Sequence, residues 1–272
     1  MARKKTVLDF QRMRTEGRKI VFLTAYDHPT AMLEERAGVD MILVGDSVGM
    51  CLLGYDSTIP VTMDDMVRHT QAVRRGAPNT FVIADMPFMS YQVSVEEAVA
   101  SAGRLIKETG ADAVKLEGGR RVADHVRAIN DAGMLVMGHL GLTPQSAGQL
   151  GGFKAQAKDA GMAMQIMADA RAVEEAGAFS ILIEAVPPPV TREISARAEV
   201  PILSIGAGGD CAGQLLIVSD LLGIFQAFTP KFVKKYADLA DAMVEAFEAY
   251  GEDVRKGLFP EAQHTYSMDP GE

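Results

Sequence analysis

Four times in this chain a helix-like stretch ends at a glycine and a short spacer then leads into an apolar run. The junctions are Ala37-Gly38-Val39-Asp40 before Met41, Thr109-Gly110-Ala111-Asp112 before Ala113, Asp131-Ala132-Gly133 before Met134, and Glu175-Ala176-Gly177 before Ala178. Glycine supplies the left-handed residue that closes a helix, so each marks a helix-to-strand junction. Matching helix starts are present, since Thr62 with Asp65 and Ser94 with Glu97 have capping-box spacing. Repeated βα units follow. Strands are expected near 20–24, 41–44, 80–84, 113–116, 135–138, 179–183, 201–205 and 215–218, with helices between them. Eight strands are the barrel number, whereas an open doubly wound sheet has fewer and often carries a G-x-G-x-x-G turn that this chain lacks. Ile205-Gly206-Ala207-Gly208-Gly209 is the nearest approach to such a turn, and both a phosphate cradle and a plain tight turn account for it.

The fold class is therefore α/β, a single (β/α)8 barrel domain over residues 1–272, a length that suits one barrel of roughly 250 residues. Val7, Leu8 and Phe10 predict an N-terminal helix plugging the barrel base. Apolar residues at helical spacing across 229–250 predict one or more closing helices, and 251–272 reads as a C-terminal arm. Met162, Met164 and Met167 fit a core-facing or subunit-interface helix better than a cofactor contact. A net charge of −9 argues against nucleic acid as partner. No run approaches the ~20 apolar residues of a membrane span, and no signal-peptide core follows Arg3, Lys4 and Lys5. With two cysteines, Cys51 and Cys211, the expected compartment is the reducing cytoplasm.

The chemistry lies where the apolar runs stop. Asp46 follows 41–45, Asp85 follows 81–84, Glu184 follows 181–183, Lys115 and Glu117 close the fourth run, and His139 closes the fifth. Parallel strands would gather these groups on one face. Asp46, Asp85 and Glu117 make a hard-oxygen set suited to magnesium, although a lone Asp after a strand also serves as a turn cap. A divalent ion there would polarise a 2-oxo acid and stabilise its enolate. Lys115 supplies positive charge to the substrate, or pairs with Glu117; a Schiff base is a third, weaker reading, since one electron sink suffices. Ser47 reads either as a donor to a substrate carboxylate or as a turn serine. Glu184, on the far side of a barrel among Ile181, Leu182, Ile183, Val186 and Pro187, is assigned proton transfer, because apolar surroundings raise a carboxyl pKa. His139 either orients substrate, relays protons or is structural.

Seven stretches carry a family resemblance: LTAYD at 23–27, GDSVGM at 45–50, GYDSTIPVTMDDM at 54–66, DMPFMSY at 85–91, VKLEGG at 114–119, GHLGLTPQS at 138–146 and KFVKKY at 231–236. Together they resemble the ketopantoate hydroxymethyltransferase family of the phosphoenolpyruvate mutase and isocitrate lyase superfamily. The resemblance implies a magnesium-dependent (β/α)8 enzyme that moves a hydroxymethyl group from 5,10-methylenetetrahydrofolate to 3-methyl-2-oxobutanoate, giving 2-dehydropantoate on the way to pantothenate. It also implies that Asp46, Asp85 and Glu117 serve the metal, that Asp46, Ser47, Asp85 and Lys115 contact the oxo acid, and that Glu184 accepts the proton. A homodecamer of two pentameric rings is implied as well.

The chain departs from the family at Ala212-Gly213-Gln214, where Asp-Gly-Gln is common, and at Ser219-Asp220, where His-Asp is customary. The 154–161 segment is also short and carries Lys158 in place of an Arg. These departures bear on the folate side, through loops after strands five, seven and eight. A folate-independent magnesium lyase or decarboxylase acting on another 2-oxo acid is the alternative enzyme. A catalytically idle oxo-acid sensor is the alternative outside catalysis, and the retained Glu184 counts against it, since binding alone needs no base.

Overall fold

The structure, a computed structural model, describes residues 3–268, so the last four positions of the expected C-terminal arm lie outside the described residues. The chain runs α1 (Val7–Thr15), β1 (Ile20–Thr24), α2 (His28–Arg36), β2 (Met41–Val44), α3 (Val48–Cys51), α4 (Met63–Gly76), β3 (Phe81–Asp85), α5 (Val95–Thr109), β4 (Ala113–Glu117), α6 (Ala123–Asp131) and β5 (Leu135–Gly141). It continues through α7 (Ala147–Leu150), α8 (Ala160–Glu175), β6 (Ser180–Glu184), α9 (Pro188–Arg197), β7 (Ile202–Ile205), β8 (Gly213–Leu216), α10 (Val218–Leu221) and α11 (Leu239–Lys256). The eight strands close in sequence order, every pair parallel, with β8 against β1. The expected barrel is therefore present.

Local chemistry explains the element ends. Gly38, Gly110, Gly133 and Gly177 all adopt positive φ, as the four junctions require. Thr62 and Asp65 form the full capping box of α4, and Ser94 caps α5 by accepting the Glu97 N–H. The first three turns of chain pack the barrel base through Phe10, which meets Phe81 edge-to-face with centroids 5.2 Å apart, and Phe81 in turn meets Phe179. Leu8, expected in that plug, points to solvent instead.

Three expectations need correction. No helix separates β7 from β8; a loop from 206 to 212 makes the crossing, and Gly206 and Gly208 take positive φ in it, in keeping with the tight-turn reading. β5 runs on to Gly141, because the chain stays paired with β6 through Leu140 and Gly141, so His139 lies inside the strand and not at its end. β8 begins at Gly213, two residues earlier than expected, since it pairs with Ile20 at the start of β1.

The chain divides into two compact units after Val218. The second contains α11, which begins ten residues later than the 229–250 pattern suggested and takes in Gly251–Lys256 of the expected arm. None of its residues is buried, and Met243, Val244, Phe247 and Tyr250 are exposed, so within this unit the apolar face is not that of a packed closing helix. Beyond it, Phe259 stacks near Tyr250 and His264, with centroids 5.6 and 5.3 Å away. Among the described residues, no helix is long and apolar enough to cross a membrane.

Candidate active site

Because the strands are parallel and in register, their C-terminal ends share one face. Asp85 pairs with Lys115 across β3 and β4, Glu117 with His139 across β4 and β5, and Gly141 with Glu184 across β5 and β6. Asp46, Asp85, Lys115, Glu117 and His139 are each at least 96% removed from solvent, while Glu184 keeps a partly open side chain. The structure thus brings together the residues singled out at the strand ends.

The contacts form a chain across the barrel mouth. Lys115 Nζ lies 2.8 Å from Asp85 Oδ1 and 3.2 Å from His139 Nδ1. His139 Nδ1 also lies 3.3 Å from Glu117 Oε1, and Nε2 lies 3.1 Å from Glu184 Oε2 without its N–H being aligned on that oxygen. Asp85 Oδ2 accepts the Asp46 N–H at 2.9 Å. A Cβ on Gly45 in that turn would sit 2.6 Å from Ser47 Oγ, so the hydroxyl would have to shift. Ser47 Oγ is in turn 2.8 Å from the Tyr26 hydroxyl, a partner that sequence reasoning missed.

Charge is out of balance here, with three buried carboxylates against one ammonium. Burial, then Asp85 and Glu117, drive the Asp46 carboxyl well above its usual range. Burial also pushes Glu117 up, against the opposing pull of Lys115. For Lys115, burial opposes the charge, but Asp85, Glu117 and Asp46 outweigh it and hold the ammonium protonated. His139 is shifted down by burial and by Lys115, so the imidazole is neutral.

Sequence reasoning also passed over Gln145 and Tyr91. Gln145, on the turn after β5, donates through Nε2 to Asp46 Oδ2 and to the Met86 carbonyl, both at 2.9 Å. Its backbone N–H donates to Glu117 Oε2 at 3.0 Å. Tyr91 OH donates to Gln145 Oε1 at 2.8 Å and accepts the Glu117 N–H at 3.1 Å. The motifs DMPFMSY and GHLGLTPQS contain both residues, and that membership was the only signal for them. A cavity of about 580 Å³ opens beside this network, walled by Glu117, Gln145, Tyr91, Gln92, Phe88 and Arg121. Its size is that of a small-molecule site.

The family pattern for ketopantoate hydroxymethyltransferase matches residues 4–262. A 3-methyl-2-oxobutanoate hydroxymethyltransferase of Alkaliphilus metalliredigens (strain QYMF) is 58% identical over 268 residues, covering 98% of this chain and 95% of that protein. The enzyme of the same name from Moorella thermoacetica (strain ATCC 39073 / JCM 9320) is 56% identical over 261 residues, covering 96% of this chain and 97% of that one. The chain belongs to the ketopantoate hydroxymethyltransferase family. It is accordingly an enzyme, and a transferase.

Solved structures with the same fold include a phosphonopyruvate hydrolase in complex with oxalate and Mg++, at TM-score 0.62 and 15% identity over 96% of this chain and 93% of that one. Another is 2,3-dimethylmalate lyase, a PEP mutase/isocitrate lyase superfamily member, at TM-score 0.60 and 15% identity over 96% of this chain and 91% of that one.

Within the ketopantoate hydroxymethyltransferase fold, the departures at 212–214 turn out to be remote from the acidic cluster. Gly213 and Gln214 enter β8, so they sit at the N-terminal ends of the strands, where a Cβ on Gly213 would lie 2.3 Å from the Ile20 carbonyl. The 154–161 segment is nearer the chemistry, because Gln156 N–H bonds to the carbonyl of Ala185, the residue after Glu184.

Glu117 Oε1 is buried and accepts no hydrogen bond, and the buried Asp85 Oδ1 has only the Lys115 ammonium, 2.8 Å away, facing it. Among the described residues, no group of three or more His, Cys, Asp or Glu side chains is arranged to hold a metal ion. Zinc asks for a set of nitrogen and sulfur ligands, whereas magnesium asks for one or two carboxylates and keeps its waters. Three buried carboxylates facing a single ammonium are a donor set of the second kind.

Proposed function

We propose that this enzyme transfers a hydroxymethyl group from 5,10-methylenetetrahydrofolate to 3-methyl-2-oxobutanoate, giving 2-dehydropantoate and tetrahydrofolate in pantothenate biosynthesis. The observation that carries this reading is the convergence of Asp46, Asp85, Lys115, Glu117, His139 and Glu184 at one mouth of the barrel, in a chain that matches the family over nearly its full length.

Asp46 and Asp85 would hold magnesium, with Glu117 beside it. The ion supplies Lewis-acid charge that stabilises the enolate of the oxo acid. Lys115 adds fixed positive charge next to Asp85, toward the substrate carboxylate or developing enolate oxygen. Ser47, held by Tyr26, contributes a hydroxyl to the oxo acid. Glu184 takes the proton from the substrate carbon adjacent to the keto group, and the C–H electron pair becomes the enolate. That carbon then bonds to the one-carbon unit, which leaves the folate nitrogens; one water supplies the new hydroxyl, and its other proton together with the one taken by Glu184 goes to the two nitrogens as tetrahydrofolate departs. The cavity beside Glu117 and Gln145, with aromatic Phe88 and Tyr91, amides and Arg121 in its wall, supports a large co-substrate of this kind. Exposed apolar side chains on α11 and the exposed Met162 and Met164 on α8 support assembly into a homo-oligomer, a decamer by family analogy.

The test combines purified enzyme, magnesium, 3-methyl-2-oxobutanoate and methylenetetrahydrofolate and measures 2-dehydropantoate. Steady turnover abolished by EDTA is the expected result. Absence of product, with the oxo acid still binding in magnesium, would replace this reading with folate-independent lyase or decarboxylase chemistry.

A further inference from the structure

The side chain of Gln145 uses its whole hydrogen-bonding capacity inside the acidic cluster. Two N–H groups point at Asp46 Oδ2 and the Met86 carbonyl, and Oε1 accepts from the Tyr91 hydroxyl and from Gln92 Nε2 at 3.2 Å. Its orientation is not free. The Met86 carbonyl can only accept, so it must face the amide nitrogen. The Tyr91 oxygen already accepts the Glu117 N–H, and its single proton goes to Gln145 Oε1 at 2.8 Å in preference to the Glu117 carbonyl at 3.2 Å. With both ends pinned, an amide N–H is aimed at Asp46 Oδ2 and fixes the direction of that oxygen. The backbone N–H of the same residue performs that service for Glu117 Oε2.

One residue therefore links the ends of four strands: Asp46 after β2, Met86 and Tyr91 after β3, Glu117 at the end of β4, and Gln145 itself after β5. Its geometry is set locally by Thr143-Pro144, which fixes a 3-10 turn over Pro144–Ser146 and points residue 145 inward.

We infer that Tyr91 and Gln145 form a positioning pair which holds Asp46 and Glu117 as oriented carboxylates for a divalent cation, with Tyr91 acting through Gln145. The inference rests on the reading that these carboxylates serve magnesium. Neither residue touches reacting atoms, so neither is a catalytic residue.

Magnesium affinity of the full chain is to be measured by titration calorimetry, without substrate, for the wild type, Gln145→Met, Tyr91→Phe and the double variant, with thermal melts as a fold control. Gln145→Met keeps the length of the side chain and removes the amide. Its magnesium affinity is expected to fall about 10–100-fold, as for other residues that orient metal ligands. Tyr91→Phe removes one oxygen and should weaken binding less. The double variant should bind no more weakly than Gln145→Met alone, because the two act in series. Affinity within about threefold of wild type in a folded Gln145→Met, or effects that simply add, would overturn the pair. Should Gln145→Met fail to fold, Tyr91→Phe decides alone: unchanged affinity overturns the inference, and weakened affinity with an unchanged melt supports it. Absence of magnesium binding in the wild type would instead remove the metal reading on which the pair depends, and the pair with it.

Discussion

The Nδ1 atom of His139 lies 3.2 Å from Lys115 Nζ, and that contact fixes where the imidazole carries its proton. An ammonium can only donate, so Nδ1 must accept, and the neutral ring keeps its proton on Nε2. Nε2 is the atom 3.1 Å from Glu184 Oε2. His139 thus bridges Lys115 and Glu184 across the barrel with its N–H on the Glu184 side, close to Oε2 but not aligned on it, and adds no second positive charge.

Glu184→Gln keeps the shape of that side chain and removes its ability to take a proton. Turnover is expected to fall about 10²-fold or more, while magnesium affinity stays within a few-fold of wild type. Steady-state kinetics paired with calorimetry separates the two quantities. Wild-type turnover in this variant would take proton transfer away from Glu184.

Lys115 is the buried cation facing Asp85 at 2.8 Å, and its charge is also felt by Asp46 and Glu117. Lys115→Met leaves three buried carboxylates with no cation. Breaking a buried pair in this way costs about 3–5 kcal/mol. The variant should melt well below wild type in the absence of metal, and added magnesium should recover part of the loss by supplying positive charge to the same oxygens. Equal melts of variant and wild type in EDTA would show that Lys115 does not neutralise the cluster.

The strand ends were legible because an apolar run that stops on Asp85, Glu117 or Glu184 has few other places to go in a repeated βα chain. Gln145 and Tyr91 were not, since an amide and a phenol in loops have no periodicity, and Asp46 lies 99 residues before the glutamine that holds it. The apolar pattern before Tyr250 was visible and its helical period holds from Leu239 onward, not at Phe232 and Val233; periodicity shows which residues share a face and not what covers that face, and α11 leaves it exposed within its own unit. The missing helix between β7 and β8 was equally hidden, because the glycines at 206, 208 and 209 fit a loop of any purpose. Replacement of Asp by Ala212 looked relevant to co-substrate binding until the β1–β8 register put it at the opposite end of the strands.

Gly141 sits at φ +93, and a Cβ there would come 2.2 Å from the Glu184 carbonyl, which is backbone and cannot swing aside. Gly133 has a similar φ of +85 with nothing near its Cβ position. The two alanine variants therefore separate backbone strain from displacement of the site. Gly133→Ala should lose about 1–2 kcal/mol of stability, the cost of an L-residue in the left-handed region, and keep full turnover. Gly141→Ala should carry that cost and also lose most of its turnover, because β5 and β6 must part at Glu184. Urea unfolding and turnover of both proteins check this, and full activity in a folded Gly141→Ala would show that β5 yields without moving Glu184.

Away from the acidic cluster, Glu34 of α2 is buried with both carboxyl oxygens unpartnered, and burial, followed by the Asp27 charge, pushes its pKa to about 8 from an ordinary 4.5. Below about pH 4.5 the carboxyl is protonated in both the folded and unfolded chain, and Glu34 has no pH-dependent effect. As pH rises toward 8, the unfolded chain releases the proton while the folded one retains it, so the folded state is progressively disfavoured; above 8 both are ionised and the loss stays constant. A shift of this size corresponds to a loss on the order of 4 kcal/mol across the window. Glu34→Gln cannot titrate. Urea midpoints of the two proteins at pH 5, 6.5 and 8.5 should therefore diverge as pH rises, the variant gaining on the wild type, with most of the change complete by pH 8.5. Parallel curves across that range would mean that Glu34 finds a partner or water in solution.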